Sequence, residues 1–250
     1  MKNSFGVLYL KTVNMKNLFV LAFILIFSVL SINAQENTSW RGPNRDGIYP
    51  DKNLLTNWPE GGPNLAWKFD ELGIGYTSAA VTNDRVFITG TTDSTSYLFS
   101  FNHKGELLWK KELGKEWVVN YPGARSTPSI YEGLGYVLSG RGVVYCFNPN
   151  NGDVLWTADL YKQYDGREVK FGVTENFLID GDKLFCTPGG IEANIVALNR
   201  KTGSLIWKSK GVGEPSAYCS PRIIEYKGVR YFLTITEKSI VSLNPENGEV

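Results

Sequence analysis

The chain has 250 residues, 26 Lys and Arg against 25 Asp and Glu, a formal net charge of +1, one His and 13% aromatic content. Near-neutral charge leaves no electrostatic footprint for a nucleic acid partner, and a single His excludes multi-histidine metal sites and most serine or cysteine triads. The aromatic content excludes disorder, while 26 Gly and 7 Trp point to many short strands and tight turns.

The first segment reads as an export signal spanning residues 1–34. Leu18 to Leu30 is apolar apart from Ser28, Lys16 precedes it, and Ala34 stands at the expected cleavage position. Met15 is the expected true start. The apolar run is shorter than the roughly 20 residues a membrane-spanning helix needs, and no Cys follows it directly to carry a lipid. Removing these residues deletes Lys2, Lys11 and Lys16 and no acid, which leaves 23 basic against 25 acidic residues. The mature protein is therefore expected to be near neutral, without a membrane span, and periplasmic or extracellular.

Residues 35–64 form an N-terminal lead-in, and residues 65–250 repeat. FNHKGELLW (101–109), FNPNNGDVLW (147–156), LNRKTGSLIW (198–207) and LNPENGEV (243–250) align with glycines at 105, 152, 203 and 248. Each is a strand, a tight turn and a second strand, because Asn and Gly accept turn dihedrals and the flanks suit a pleated surface. A second element precedes each copy: TSAAV (77–81), STPSI (126–130), VTENF (173–177) and CSPRI (219–223), which aligns Ser78, Thr127, Thr174 and Ser220. Between the two elements lies a further hairpin, at 81–88, 130–138, 178–185 and 224–232. Four short antiparallel strands per period of 45 to 51 residues are the plan of a β-propeller blade. The expected fold class is all-β, with helix disfavoured throughout.

Trp109, Trp156 and Trp207 end the outer strands, where a ring packs on the neighbouring blade. Trp67 lies in PNLAWKF (63–69), which reads as a lone outer strand able to complete a last blade. The fourth copy stops at Val250, where the other copies place an apolar residue and a Trp. The expectation is a chain truncated within its fourth blade; the alternative is a ring closed at four blades by the Trp67 strand.

ALNRKTGSLIW (197–207) resembles AxDxxTGxxxW, the signature of the pyrroloquinoline-quinone (PQQ) type repeat, with Asn199 in place of Asp. CFNPNNGDVLW (146–156) is similar, departing at Cys146, Asn148 and Asn151. WRGPNRDG (40–47), NWPEGGPNLAWK (57–68), GIGYTSAAV (73–81), GARSTPSI (123–130), TPGG (187–190) and AYCSP (217–221) extend the likeness. Together they resemble the secreted bacterial branch of PQQ-like propellers, which includes quinoprotein dehydrogenase-like and BamB-like members. The resemblance implies a larger ring, of eight blades. It also implies, for the enzyme members, PQQ in the central channel with Ca²⁺ held by Glu, Asn and Asp, and often a disulfide between adjacent cysteines.

Cys146, Cys186 and Cys219 are separated, so the vicinal pair is absent; a Cys186 to Cys219 bridge stays open. Asp46, Asp51, Asp180 and Asp182 fall in turns, where carboxylates satisfy backbone donors. His103 reads as a solvated turn residue. Glu175 and Asn176 replace the Pro-Ser of the second copy and the Pro-Arg of the fourth at the start of an innermost strand. With Tyr76, Arg125, Tyr218 and Arg222 they form the candidate channel mouth, for a ligand, a cofactor or only solvent. No residue is assigned to catalysis or to a metal. Two functional readings result. The first is a monomeric binding or scaffold propeller of the cell envelope, with a protein or extracellular polymer as partner. The second is a PQQ-dependent oxidoreductase acting on an alcohol or sugar.

Overall fold

The computed structural model describes residues 37–42, 44–49 and 51–250. The export signal read at 1–34 lies outside the described residues. Sheet one comprises β1 (Ala80–Val81), β2 (Val86–Thr92), β3 (Thr95–Phe101) and β4 (Leu107–Lys115). Sheet two comprises β5 (Ser129–Tyr131), β6 (Leu134–Leu138), β7 (Val143–Phe147) and β8 (Val154–Asp159). Sheet three comprises β9 (Leu178–Asp180), β10 (Lys183–Cys186), β11 (Ile195–Asn199) and β12 (Leu205–Ser209). The fourth has β13 (Arg222–Tyr226), β14 (Val229–Ile235) and β15 (Ile240–Leu243). Each sheet is an antiparallel meander whose strands neighbour in chain order, as in propeller blades.

The hydrophobic core lies between blades. Along β10, Leu184 and Cys186 face the second blade, among Tyr136, Val144 and Leu160. Phe185 points the other way, onto Phe232 and Leu243 of the fourth blade. Ala80, Phe87 and Leu98 meet Ile130, Val137 and Phe147 in the same manner. Because successive strand residues alternate faces, a strand buried on both sides reads as a continuous apolar run, and LFC of β10 and IVAL of β11 are such runs.

The repeat signature has a physical content. A register shift before each Asn-Gly turn, at Ser100/Phe101, Cys146/Phe147 and Ala197/Leu198, sets Ser100 opposite Trp109, Cys146 opposite Trp156 and Ala197 opposite Trp207. A small residue is thus needed across from each indole. The turn Asn closes on its own backbone: Asn199 Oδ1 accepts from Lys201 N at 3.0 Å and Thr202 N at 3.1 Å, and Asn148 Oδ1 from Asn150 N at 2.9 Å. Asn satisfies that role as Asp would.

Two details qualify the blade plan. A short helix, α1 (Leu160–Gln163), follows β8; Asp159 Oδ1 accepts from Lys162 N at 3.1 Å and caps it. It is the one helix among the described residues, in keeping with an all-β chain. The segment 63–69 pairs with no strand among the described residues. Trp67 nonetheless docks as a blade Trp does, stacked 5.8 Å from Phe101 with Nε1 donating to His103 O at 3.1 Å.

Candidate functional site

A belt of hydrogen bonds links the innermost strands. Ser78 N donates to Thr127 Oγ1 at 3.2 Å, Thr127 N to Asn176 Oδ1 at 2.8 Å, and Asn176 N to Ser220 Oγ at 3.1 Å. The third member is Asn176, and the alignment of Thr174 with Ser78, Thr127 and Ser220 was displaced by two residues. Thr174 carries a Thr that resembles the other copies, but the strand starts at Leu178, as the others start at Ala80, Ser129 and Arg222. Glu175 therefore stands where the other copies have Thr77, Ser126 and Cys219, not where they have Pro.

Glu175 is fully buried. Its carboxylate accepts from Thr187 N at 3.1 Å and Thr187 Oγ1 at 3.0 Å, and its carbonyl accepts from Ser126 Oγ at 2.9 Å. Burial pushes its pKa up to about 7 against the opposing pull of Thr187 and the Arg45 cation. Arg45 comes from the lead-in, and sequence reasoning passed over it. Its guanidinium donates to Asn176 O at 3.0 Å and to Phe177 O. Burial lowers its pKa to about 10, Glu175 opposing and Arg222 adding to the fall. The only signal for Arg45 was its place in WRGPNRDG. Arg222 is exposed at the first position of β13, and its charge reaches the same cluster.

Tyr76, Arg125 and Tyr218 gather separately, on the loops that lead into the inner strands. The Arg125 guanidinium lies 5.3 Å over the Tyr76 ring and donates to Asn120 O at 3.1 Å and to Tyr121 O. Its carboxylate neighbour is Glu116, which accepts from Trp117 N at 2.8 Å and Gly140 N at 2.6 Å and whose pKa burial raises. Phe171 bridges Tyr121 and Tyr218, with centroids at 5.8 and 6.0 Å, and its N–H donates to the Tyr218 hydroxyl at 3.1 Å. Tyr76, Tyr121 and Tyr218 remain exposed. The six candidates thus form an inner group of Glu175, Asn176 and Arg222, and an outer aromatic group of Tyr76, Arg125 and Tyr218. Glu116, Tyr121 and Phe171 had no repeat signal to mark them.

The cysteines are free. Cys219 Sγ accepts from Ile235 N at 3.3 Å and is not bridged to Cys186. Burial pushes the Cys146 thiol up to about 12 and that of Cys186 well above its ordinary value, which makes both poor nucleophiles. His103 is exposed, but its Nε2 lies 2.8 Å from Thr82 O, so it ties its turn to the blade.

A calcium and quinone site needs several hard oxygen donors around one point. Glu175 and Glu116 are single carboxylates committed to local donors, and no group of three His, Cys, Asp or Glu side chains clusters among the described residues. The donor set of these residues does not fit that group.

The model of the family described as "Outer membrane protein assembly factor BamB" matches residues 59–159 and 94–250. The chain belongs to this family of PQQ-like repeat propellers. It is 27% identical over 154 residues to the outer membrane protein assembly factor BamB of Kangiella koreensis, covering 58% of this chain and 36% of that one. It is also 27% identical over 151 residues to the quinoprotein alcohol dehydrogenase PedH of Pseudomonas putida, covering 56% and 25%. The chain spans about a third or less of these curated relatives. BamB from Moraxella catarrhalis superposes with a TM-score of 0.52 at 15% identity, over 72% of this chain and 49% of that one, which shows the propeller fold. Among the described residues no helix is long and apolar enough to cross a membrane.

Proposed function

We propose that this chain is part of an exported propeller that acts as a binding or scaffold module of the cell envelope. The observation that carries the reading is how the inner-strand polar groups are used. Asn176 is spent on the belt, Glu175 on Thr187, and Arg45 on two backbone carbonyls. What the loops leave for a partner is an exposed aromatic surface, the kind of side chain enriched where proteins bind one another. The outer aromatic group of Tyr76, Arg125 and Tyr218 is a partner-facing part in this reading, and the side chains of Glu175 and Asn176 are structural. Export rests on the apolar run Leu18 to Leu30, and an envelope protein is the partner class supported by the BamB relatives.

The test uses the full-length protein with PQQ and Ca²⁺, followed by calorimetry and by dye reduction on alcohols and sugars. The expected result is no quinone binding and no reduction, with crosslinking in intact cells recovering an envelope protein. Stoichiometric quinone binding with alcohol oxidation would overturn the reading in favour of the dehydrogenase.

A further inference from the structure

The innermost strand of a propeller blade has one edge facing the axis, with backbone donors and acceptors that no neighbouring strand takes up. On β5 the lead-in takes that edge. Thr38 N donates to Ile130 O at 2.9 Å and Ile130 N to Thr38 O at 2.8 Å, one rung of an antiparallel ladder. Asn37 Oδ1 adds a bond from Glu132 N at 3.1 Å. Arg45, further along the segment, reaches the carbonyls of Asn176 and Phe177, just ahead of β9.

The fit is loose. One cavity of about 170 Å³ is bordered by Thr38, Arg45, Ser129, Ile130 and Phe177. Another of about 690 Å³ is bordered by Thr38, Ser39, Tyr49, Ala79 and Val81. Both open to solvent, so the blades do not wall the segment in on every side. Ser129 is 1% exposed and its hydroxyl has no partner. Beyond Tyr49 the chain is little covered: Leu54, Leu55, Trp58 and Leu65 are each about 70% exposed or more. The segment is held at a few points and joined to the blades by an exposed tether.

We propose that the inner edge of β5 and the carbonyls ahead of β9 form a groove for a peptide that pairs one residue with Ile130 and then folds back through turns, as Gly42 N to Ser39 O and Arg45 N to Gly42 O do here, to bring an arginine seven residues on to those carbonyls, and that the lead-in occupies it as a displaceable self-ligand. The proposal rests on the binding-module reading and names its partner class. Strand addition supplies affinity through main-chain bonds, and the arginine supplies selection, because its fork of donors meets two carbonyls beside the buried Glu175 carboxylate. A tethered occupant competes at an effective concentration of order millimolar, so an outside strand enters mainly when the lead-in is released.

The probe is a fluorescent peptide of residues 37–49, added to full-length protein and followed by anisotropy. In the Thr38→Pro, Arg45→Ala double variant the self-ligand loses its ladder donor and its guanidinium, and the peptide is expected to bind at least tenfold more tightly than to the unaltered protein. Equal affinity for both, or no binding to a variant that keeps its native circular dichroism, would overturn the groove. A second measurement needs no variant: the Ile130 amide should exchange hydrogen at least tenfold faster than the Val137 amide. Equal protection would make the lead-in a fixed strap and also overturn the proposal. An envelope partner recovered without peptide binding would sink the groove alone. Quinone binding alongside peptide binding would sink the wider scaffold reading and leave the groove standing.

Discussion

Each docking Trp lies on the α-carbon of a turn glycine in the next blade. A Cβ built on Gly105 would sit 2.6 Å from the Trp67 ring, on Gly152 2.7 Å from Trp109, on Gly203 2.7 Å from Trp156, and on Gly248 2.4 Å from Trp207. These glycines also hold φ between +73° and +82°, so both the dihedral and the contact exclude a side chain. That double demand recurs once per blade, which made the blades legible from Gly and Trp spacing. The indole nitrogens are less uniform. Trp156 Nε1 donates to Arg200 O at 3.0 Å and Trp207 Nε1 to Pro245 O at 3.2 Å, whereas Trp109 Nε1 is buried without a partner. The Arg85 guanidinium has taken the carbonyls there, donating to Pro149 O at 3.3 Å and Asn150 O at 3.1 Å. Nothing in the motif announces Arg85, because it arrives from the β1–β2 turn across the blade interface. Trp156→Phe should therefore cost about 1 kcal/mol more than Trp109→Phe, since only the former breaks a hydrogen bond, while Arg200 O keeps the Tyr136 hydroxyl at 3.1 Å. Urea unfolding of the two variants checks this, and an equal loss would mean that Trp109 is hydrogen-bonded in solution.

At the scale of elements, the strands and their order were readable, but the start of β9 was not. Ser, Thr and Asn all serve the belt, so the chemistry did not single out Asn176 over Thr174, and only the hydrogen bonds decide. The same two-residue shift moves Glu175 from an exposed channel mouth into the interior, where its carboxyl is held at about 7 instead of the ordinary 4.5. Below pH 4.5 both folded and unfolded chains carry the proton. Between 4.5 and 7 the folded chain keeps a proton that the unfolded chain releases, so stability falls as pH rises through this window and levels off above it. The span corresponds to about 3 kcal/mol at most. Glu175→Gln should flatten the decline between pH 5 and 7.5 in urea titrations. An unchanged slope would mean that Arg45 keeps the carboxylate ionised throughout.

Across the whole molecule, stability is carried by blade interfaces, each sheet sharing a core with its neighbours, as in other repeat architectures. Such coupling makes protection depend on how many faces a blade has covered. The strands β10 and β11 are buried almost without interruption, packed on the second blade by Leu184 and on the fourth by Phe185. In the fourth blade β13 is exposed at Arg222, Ile224 and Tyr226, and Ile240 of β15 is 81% exposed. Its contribution to the core is concentrated in Phe232 and Leu243. Few buried apolar contacts mark a region that opens at low free energy. In the 250-residue chain the amides of β14 should therefore exchange at least tenfold faster than those of β10 and β11 under native conditions. Phe232→Ala, which empties the main contact of the fourth blade, should widen that gap while leaving β6 and β7 protected. Uniform protection across the sheets would mean that the blades open as one unit, and the interface-by-interface account of stability would then fail.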